Sequence, residues 1–438
     1  MLRVFLGNIN TYGKGIEFKF FLISIFLLAS APSLSLLFLL YSIIISLRGN
    51  FKNLINDKSN YILLVAALIM ISKSIFASLL STNEIANWEP ILNWVGLGNW
   101  LPQFLIYFGA QIYVQNAAQR TLVAKILILG TVPVIFSCFT QYFLGWYGPY
   151  ELFNGLIIWY QKVRTEINQP ITGLFNNPNY AGAWIAMIWP FLLAYLYQKQ
   201  KDKLKLKLFV VFTLCVFFIF AITLINSRGA WIGVFASIPF IFGKTVAVWF
   251  LPLVIIVIVL ILLCTFPGIP LNIQTIFCLV IPSNILSNFS NYNLNFENIS
   301  RFLIWDKAIN LILDKPFFGW GAASFPSLYF SEYGDWKGHP HNLYLELSIS
   351  YGLLTSLLVF TFIGIIIFNS AKNIYSKKVI NNNFERAWLT STFVFLILHS
   401  FDIVYFDMRI SIIFWILLSG LRFQVNEPKN LESIIIAK

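Results

Sequence analysis

Charge is what this chain has least of. Only 11% of its 438 residues are Asp, Glu, Lys or Arg, while 58% are hydrophobic. A soluble globular domain carries about a quarter charged residues, so a water-soluble class is excluded. Two-residue alternation is missing from the apolar stretches, which run on continuously, and this argues against a β-barrel. Cysteine is scarce: Cys138, Cys215, Cys264 and Cys278 lie in apolar surroundings without metal-ligand spacing. That excludes a zinc module or a disulfide-built fold and leaves open a single Cys264–Cys278 bridge. No internal repeat is evident, which weighs against an inverted-repeat transporter.

Apolar runs of about 18 residues or more recur, the mark of transmembrane helices. Spans are expected at 60–80, 121–144, 179–198, 208–225, 246–266, 342–369, 387–402 and 405–421, with shorter ones at 101–116 and 230–243. Residues 18–47 break at Pro32 into a hairpin of two helices. Arg3, Lys14 and Lys19 ahead of FFLISIFLL resemble a signal peptide, but Pro32 directly follows the Ala29-Ser30-Ala31 box. Proline is a poor first mature residue, so a retained first helix is expected. The fold class is therefore all-α and polytopic, with about twelve spans. The net charge of +12 resides mostly in short linkers, above all KQKDKLKLK at 199–207 and AKNIYSKKVINNNFERA at 371–387. That pattern sets membrane orientation, with both termini cytoplasmic, and does not call for a nucleic-acid partner. Trp88, Trp94 and Trp100 fall in an outer loop at 81–100 that lacks Lys and Arg. A short amphipathic piece is expected around Leu152–Lys162 in the outer loop 145–177.

The segment 267–341 is too long for a plain connection, and loops of that kind tend to be functional. Ile299, Phe302, Leu303, Ile309 and Leu313 recur in it at helical spacing, which predicts an amphipathic helix lying on the membrane. Three units follow: 1–170, helices and outer loops; 171–370, a core containing loop 267–341; and 371–438, a final hairpin and tail.

This topology puts Arg164, Arg228, Arg301, His339 and His341 on the outer face, where the positive-inside rule does not place basic residues. Arginines at helix ends suit a phosphate or diphosphate, whose oxygens match the guanidinium fork. A histidine can act as general base near neutral pH. The same residues could also be solvated loop charges or headgroup anchors. Asn176, Asn179 and Tyr180 open one helix and Asn342 another, either as caps or facing the same cavity. Trp320 sits in a Gly-Trp-Gly turn between Arg301 and the histidines. Lys73 and Glu346 lie within apolar runs and are expected to pair, since charges in the bilayer are usually paired or functional. Asp402, Asp407 and Arg409 at the last outer turn are expected to serve structure. No metal is expected: His399 is remote in sequence and no carboxylate stands beside His339 and His341 in the chain.

His341-Asn342, nine residues and then Gly352 resemble the signature of the O-antigen ligase and polymerase superfamily. PFFGWGAASF, the Arg301-x-x-x-Trp305 spacing and NSRGAWIG around Arg228 are similar to the same family, over roughly residues 170–370. The resemblance implies a fold of the membrane-embedded C type of glycosyltransferase. It implies an inverting, metal-independent enzyme of the bacterial inner membrane, without a cofactor and with a periplasmic active site. A glycan would pass from an undecaprenyl-diphosphate carrier to a hydroxyl of a lipid or glycan acceptor. Arg228 and Arg301 would hold the diphosphate, with Arg164, Asn176, Asn179, Tyr180, Trp320, His339 and Asn342 around the substrates and His341 as base. NPNYAG and SRGAWIG are also similar to a cyanobacterial branch labelled as bicarbonate transporters. An anion transporter therefore stands as the alternative, and a non-catalytic membrane scaffold as a second.

Overall fold

A computed structural model describes residues 15–79, 85, 88–166, 169–201, 205–243, 300–375 and 383–424, with scattered positions between 246 and 276. The expected span at 246–266 is described only at scattered positions, and the Cys264–Cys278 bridge and most of the first part of the long segment lie outside the described residues.

The described chain is helical apart from one small hairpin. Helices α1 (Ile16–Leu27), α2 (Pro32–Asn56), α3 (Asn60–Leu79), α4 (Leu92–Ala110) and α5 (Ala117–Phe143) come first. After the hairpin follow α6 (Pro178–Lys201), α7 (Lys205–Ile225) and α8 (Arg228–Phe242). Two shorter helices, α9 (Ser300–Asp314) and α10 (Phe325–Tyr333), precede α11 (Leu343–Tyr375), α12 (Asn383–His399) and α13 (Met408–Gln424). Six of these, α2, α3, α5, α6, α7 and α11, are long and apolar enough to cross a membrane. The protein is thus an all-α polytopic membrane protein.

Helix α6 lies at the centre of the bundle, with most of its apolar stretch buried. It packs against α8 and α12, and Trp184, Trp388 and Trp415 fill the core. Small residues set the closest approach, as membrane helices require. A Cβ on Gly182 of α6 would lie 2.9 Å from the side chains of both Ala230 and Ser227 at the start of α8. At one end of the bundle buried Arg120 pairs with Glu385 at 3.0 Å, and Arg422 pairs with Asp57 at 2.6 Å. The other end carries the turns between α7 and α8 and between α12 and α13, the start of α11, and helices α9 and α10.

Three expectations are corrected. Helix α4 begins at Leu92, not near 101, so Trp94 and Trp100 belong to it. Asn93, Asn99, Gln103 and Pro102 hide this helix from a hydropathy reading, yet Trp100 is buried and stacks on Tyr405 at 4.4 Å. Around 152–162 there is no amphipathic helix but a hairpin, β1 (Tyr150–Leu152) against β2 (Ile157–Trp159). Phe153, Asn154 and Gly155 at its tip all take positive φ, which helix cannot accommodate. Finally, α11 is not one uniform span. It kinks at Gly352, whose φ of 86° leaves the helical region.

That kink docks the segment before α10. The amides of Trp320 and Gly321 donate to the Ile349 and Ser350 carbonyls at 2.7 and 3.1 Å, and the Leu353 amide donates to Pro316 O at 2.7 Å. A Cβ at Gly352 would lie 2.0 Å from the Phe317 carbonyl oxygen, so only glycine fits here. The amphipathic helix is present as α9. Leu303, Ile309 and Leu313 are exposed as expected of a lipid-facing stripe, while Ile304, Ala308, Leu311 and Ile312 bury against Phe325, Tyr329 and Ile349.

Candidate active site

The loop His339-Pro340-His341 enters α11 in a constrained form. Asn342 caps the helix, its Oδ1 accepting from the amides of Tyr344 and Leu345 at 3.0 and 3.1 Å. Its Nδ2 donates to Ser400 O at 3.2 Å, which ties the start of α11 to the end of α12. His341 sits at φ 51°, a region that a non-glycine residue occupies only when its surroundings hold it there. One holder is Trp305 of α9, whose Nε1 donates to Pro340 O at 3.0 Å.

The other holder is Asp402. His341 Nδ1 lies 3.1 Å from Asp402 Oδ1. The carboxylate also accepts from the Ile403 amide at 2.9 Å and, on Oδ2, from Asn179 Nδ2 at 2.8 Å. Asn179 Oδ1 in turn accepts from Ser227 Oγ at 3.0 Å. Four segments distant in sequence are thereby joined: the start of α6, the α7–α8 turn, the start of α11 and the α12–α13 turn. Burial pushes the Asp402 carboxyl up, but the His341 hydrogen bond, the neighbouring imidazoles and the Ile403 amide outweigh it. The net direction is below the ordinary carboxylate value. An ionised Asp402 can only accept, so His341 donates to it from Nδ1, and Nε2 is the ring nitrogen left facing away from the carboxylate.

His339 has a different state. Its Nδ1 accepts from the His341 amide at 3.1 Å, which requires the neutral ring with the proton on Nε2. Burial, and then the proximity of His341, hold its pKa down to about 4. Its Nε2 is 4.0 Å from Asp402 Oδ1, and the two imidazole centroids are 4.4 Å apart. Ligand atoms of His339, His341 and Asp402 all lie within 4.8 Å of one another, a grouping able to hold a metal ion. The sequence reading found no carboxylate beside these histidines because Asp402 is 61 residues away in the chain.

Among the other expected residues, Arg228 is placed beside the cluster. It follows Ser227, which caps α8 through the Ala230 amide, and its side chain is exposed. Arg301 is exposed on α9, one turn before Trp305 and so on the same helix face. Tyr180 packs half-buried against the core, next to Asn179. Arg164 lies over the Tyr142 ring at 5.0 Å, and its Nε is buried without a partner, as is Asn176 Oδ1. Trp320 is not brought to the cluster: its Nε1 donates to Leu311 O at 2.8 Å and Lys315 covers its ring at 4.1 Å. Lys73 and Glu346, expected to pair, take other partners. Lys73 Nζ donates to Gly319 O at 3.0 Å, bracing the docked segment, and Glu346 accepts from Ser350 Oγ at 3.1 Å. Asp407 and Arg409 do the structural work expected of them, paired at 2.5 Å with the guanidinium 3.6 Å from the Phe175 ring centroid.

Asp402 and Ser227 are the members of this hydrogen-bonded cluster whose place the sequence did not reveal. Asp402 was expected to serve structure with Asp407 and Arg409, and Ser227 adjoins Arg228, but no local motif links an aspartate after α12 to a histidine before α11.

Residues 213–360, from within α7 to within α11, match the family described as O-antigen ligase. A ComP-specific O-oligosaccharyltransferase of Acinetobacter baylyi is 30% identical over 222 residues. That similarity covers 48% of this chain but only 38% of the relative's own length. The matched core contains Arg228, Arg301, His339 and His341, while Asn179 and Asp402 come from outside it. Residues 213–360 are thus similar to an O-antigen ligase domain, and about half of the chain is similar to part of an oligosaccharyltransferase.

Proposed function

We propose that this protein is a membrane glycosyltransferase that moves a glycan from a polyprenyl-diphosphate carrier to an acceptor hydroxyl at the periplasmic face of the bacterial inner membrane. The observation that carries this reading is the His341–Asp402 hydrogen bond of 3.1 Å, anchored through Asn179 to Ser227. It leaves His341 Nε2 as the basic nitrogen. In the proposed step Nε2 takes the acceptor hydroxyl proton while that oxygen bonds to the anomeric carbon of the donor sugar. The anomeric C–O bond to diphosphate breaks, and the diphosphate departs with the electron pair. Attack opposite the leaving group inverts the anomeric centre.

Arg228, exposed beside Ser227, and Arg301, on the Trp305 face of α9, would hold the diphosphate and stabilise its developing charge without a metal. The family match and the oligosaccharyltransferase similarity support glycan transfer over anion transport. Arg120, Arg386 and Arg422 gather at the opposite end of the bundle, which supports a cytoplasmic side there.

The test is transfer by the purified chain from a polyprenyl-diphosphate oligosaccharide, read by mass spectrometry of the product. His341→Ala is expected to abolish transfer while the protein still assembles. Full transfer by that variant would remove His341 from the role. In cells, a gene deletion that left surface glycan unchanged but reduced bicarbonate uptake would overturn the function.

A further inference from the structure

A second feature lies on the chain between α10 and the histidine loop. From Phe330 to Trp336 every residue is exposed, and Phe330, Tyr333 and Trp336 are aromatic. Phe330 and Tyr333 stand three apart on α10 and so share one face of it. Tyr333 stacks on Tyr329 with ring centroids 4.7 Å apart, and the Trp336 ring lies 6.3 Å from that of Phe330. Tyr329 is buried with Phe325 against α9, and Lys307 of α9 pairs with Glu332 of α10. The ridge is therefore held on a rigid base. Gly334 ends α10 in the left-handed region at φ 65°, which turns the chain and brings Trp336 back to Phe330.

Charge separates this ridge from the lipid-facing stripe on α9. Asp335 and Lys337 flank Trp336 and pair with each other at 2.8 Å. The Trp336 ring could enter hydrocarbon only by taking that pair with it, which the bilayer resists. A ligand for the ridge must be water-soluble yet offer an apolar face to the rings. It must also carry hydroxyls able to take over from a weak, exposed ion pair. A sugar ring meets all of these demands. One face of a pyranose is a sheet of C–H bonds, which fits the electron-rich face of an aromatic ring, and its rim hydroxyls donate to a carboxylate such as Asp335.

Continuity with the candidate active site points the same way. Trp336 stands three residues before His339, so at most about 11 Å of chain separates them. A Cβ at Gly334 or Gly338 would meet nothing within 4 Å among the described residues, so the chain on either side of Trp336 is open to approach. A glycan that brings one sugar to the His341–Asp402 cluster can lay a neighbouring sugar on Trp336.

We infer that Trp336, with Phe330 and Tyr333, forms a sugar-stacking subsite beside the candidate active site, which holds a glycan ring that is not itself reacting while Asp335 accepts from its hydroxyls. This deepens the proposed function and rests on it for the source of the glycan, donor or acceptor; the binding of sugar by the ridge does not depend on it.

Two measurements on the purified full chain in detergent test the subsite. First, saturation-transfer NMR titrates the oligosaccharide that mild acid releases from the cell's polyprenyl-diphosphate pool. Trp336→Ala is expected to weaken that binding about tenfold, and Trp336→Phe by less than about threefold, since a smaller ring still stacks. Second, transfer kinetics compare carriers bearing one sugar with carriers bearing the whole oligosaccharide. If the ridge holds the donor glycan, Trp336→Ala raises KM for the long donor about tenfold more than for the short one. If it holds a glycan acceptor, the acceptor KM rises instead and the two donors are affected alike. Binding indifferent to Trp336→Ala, or donor and acceptor KM values that both stay put, would overturn the inference. So would quenching of the Trp336 emission, taken as the difference between wild type and Trp336→Phe, by acyl-brominated phosphatidylcholine in nanodiscs, which would put the ridge in the bilayer. Sugar binding that needs Trp336 in a chain without transfer would uphold the subsite and count against the proposed function alone.

Discussion

Replacing Asp402 by asparagine changes one atom and should disable the base. Asp402 Oδ1 accepts from His341 Nδ1 and the Ile403 amide, and Oδ2 accepts from Asn179 Nδ2. An asparagine has two orientations, of which the first weakens the cluster and the second reverses the His341 tautomer. With its oxygen facing His341, its NH₂ meets the Asn179 NH₂. Asn179 must then flip and present that NH₂ to Ser227, whose hydroxyl now donates to Asn179 Oδ1. With its NH₂ facing His341, it meets the Ile403 N–H and forces Nδ1 to accept. The proton then moves to Nε2, where a base must have none. The first outcome forfeits one hydrogen bond to a charged group, about 1.5–3 kcal/mol. The second resembles the wrong-tautomer state of a Ser-His-Asp triad, which costs about 10⁴ in kcat. A loss of about 10³-fold or more in kcat is expected for Asp402→Asn, with KM within about threefold, since Asp402 acts through His341. Steady-state transfer kinetics of the purified variant measure both. A variant within tenfold of wild-type kcat would refute the tautomer argument, and a rise in KM alone would make Asp402 a binding group.

Three further outcomes follow from other residues. Arg228→Lys keeps the charge but loses the fork, so KM for the diphosphate donor is expected to rise by about tenfold, a change that donor titration would detect. The His339 pKa falls from an ordinary 6.5 to about 4 on folding, so the unfolded chain takes up that proton first. Stability from this group is therefore complete above about 6.5 and declines as pH falls toward 4, by at most about 3 kcal/mol. Melting of the detergent-solubilised protein at pH 7 and pH 4.5 should show that decline in wild type and a smaller one in His339→Gln. Gly352→Ala forces a Cβ to within 2.0 Å of Phe317 O and should destabilise the protein by more than about 3 kcal/mol, visible as loss of folded protein in membranes.

Much of the architecture was legible because membrane helices announce themselves as uninterrupted apolar runs. Helices α3, α5, α7 and α9 fall close to their expected bounds. Helix α4 was misplaced because buried polar residues and a proline interrupt its apolar run, and tertiary packing rather than hydropathy holds it. The hairpin at 150–159 was missed because its three-residue strands are too short to show a period. In the site, His341 and Arg228 stood out because basic residues on the outer side need a reason. Asp402 stood out only as part of a structural charge cluster with Asp407 and Arg409. Only the fold shows that it meets an imidazole from another hairpin. Asn342 looked like a ligand for substrate, and its cap hydrogen bonds were the simpler use of the same side chain.

The docking of residues 316–321 on the break in α11 has a consequence for engineering. Two carbonyls of α11, Ile349 and Ser350, take their amide partners from the chain that precedes α10. A chimera that exchanged the segment after α9 for that of a relative, but kept α11, would strand those acceptors and the Leu353 amide where water is scarce. The segment is therefore not portable as a loop graft. The unit of exchange is the segment and the first three turns of α11 together, from Ser300 through Leu353, and recombination inside it should yield chains that fail in the membrane before any question of specificity arises.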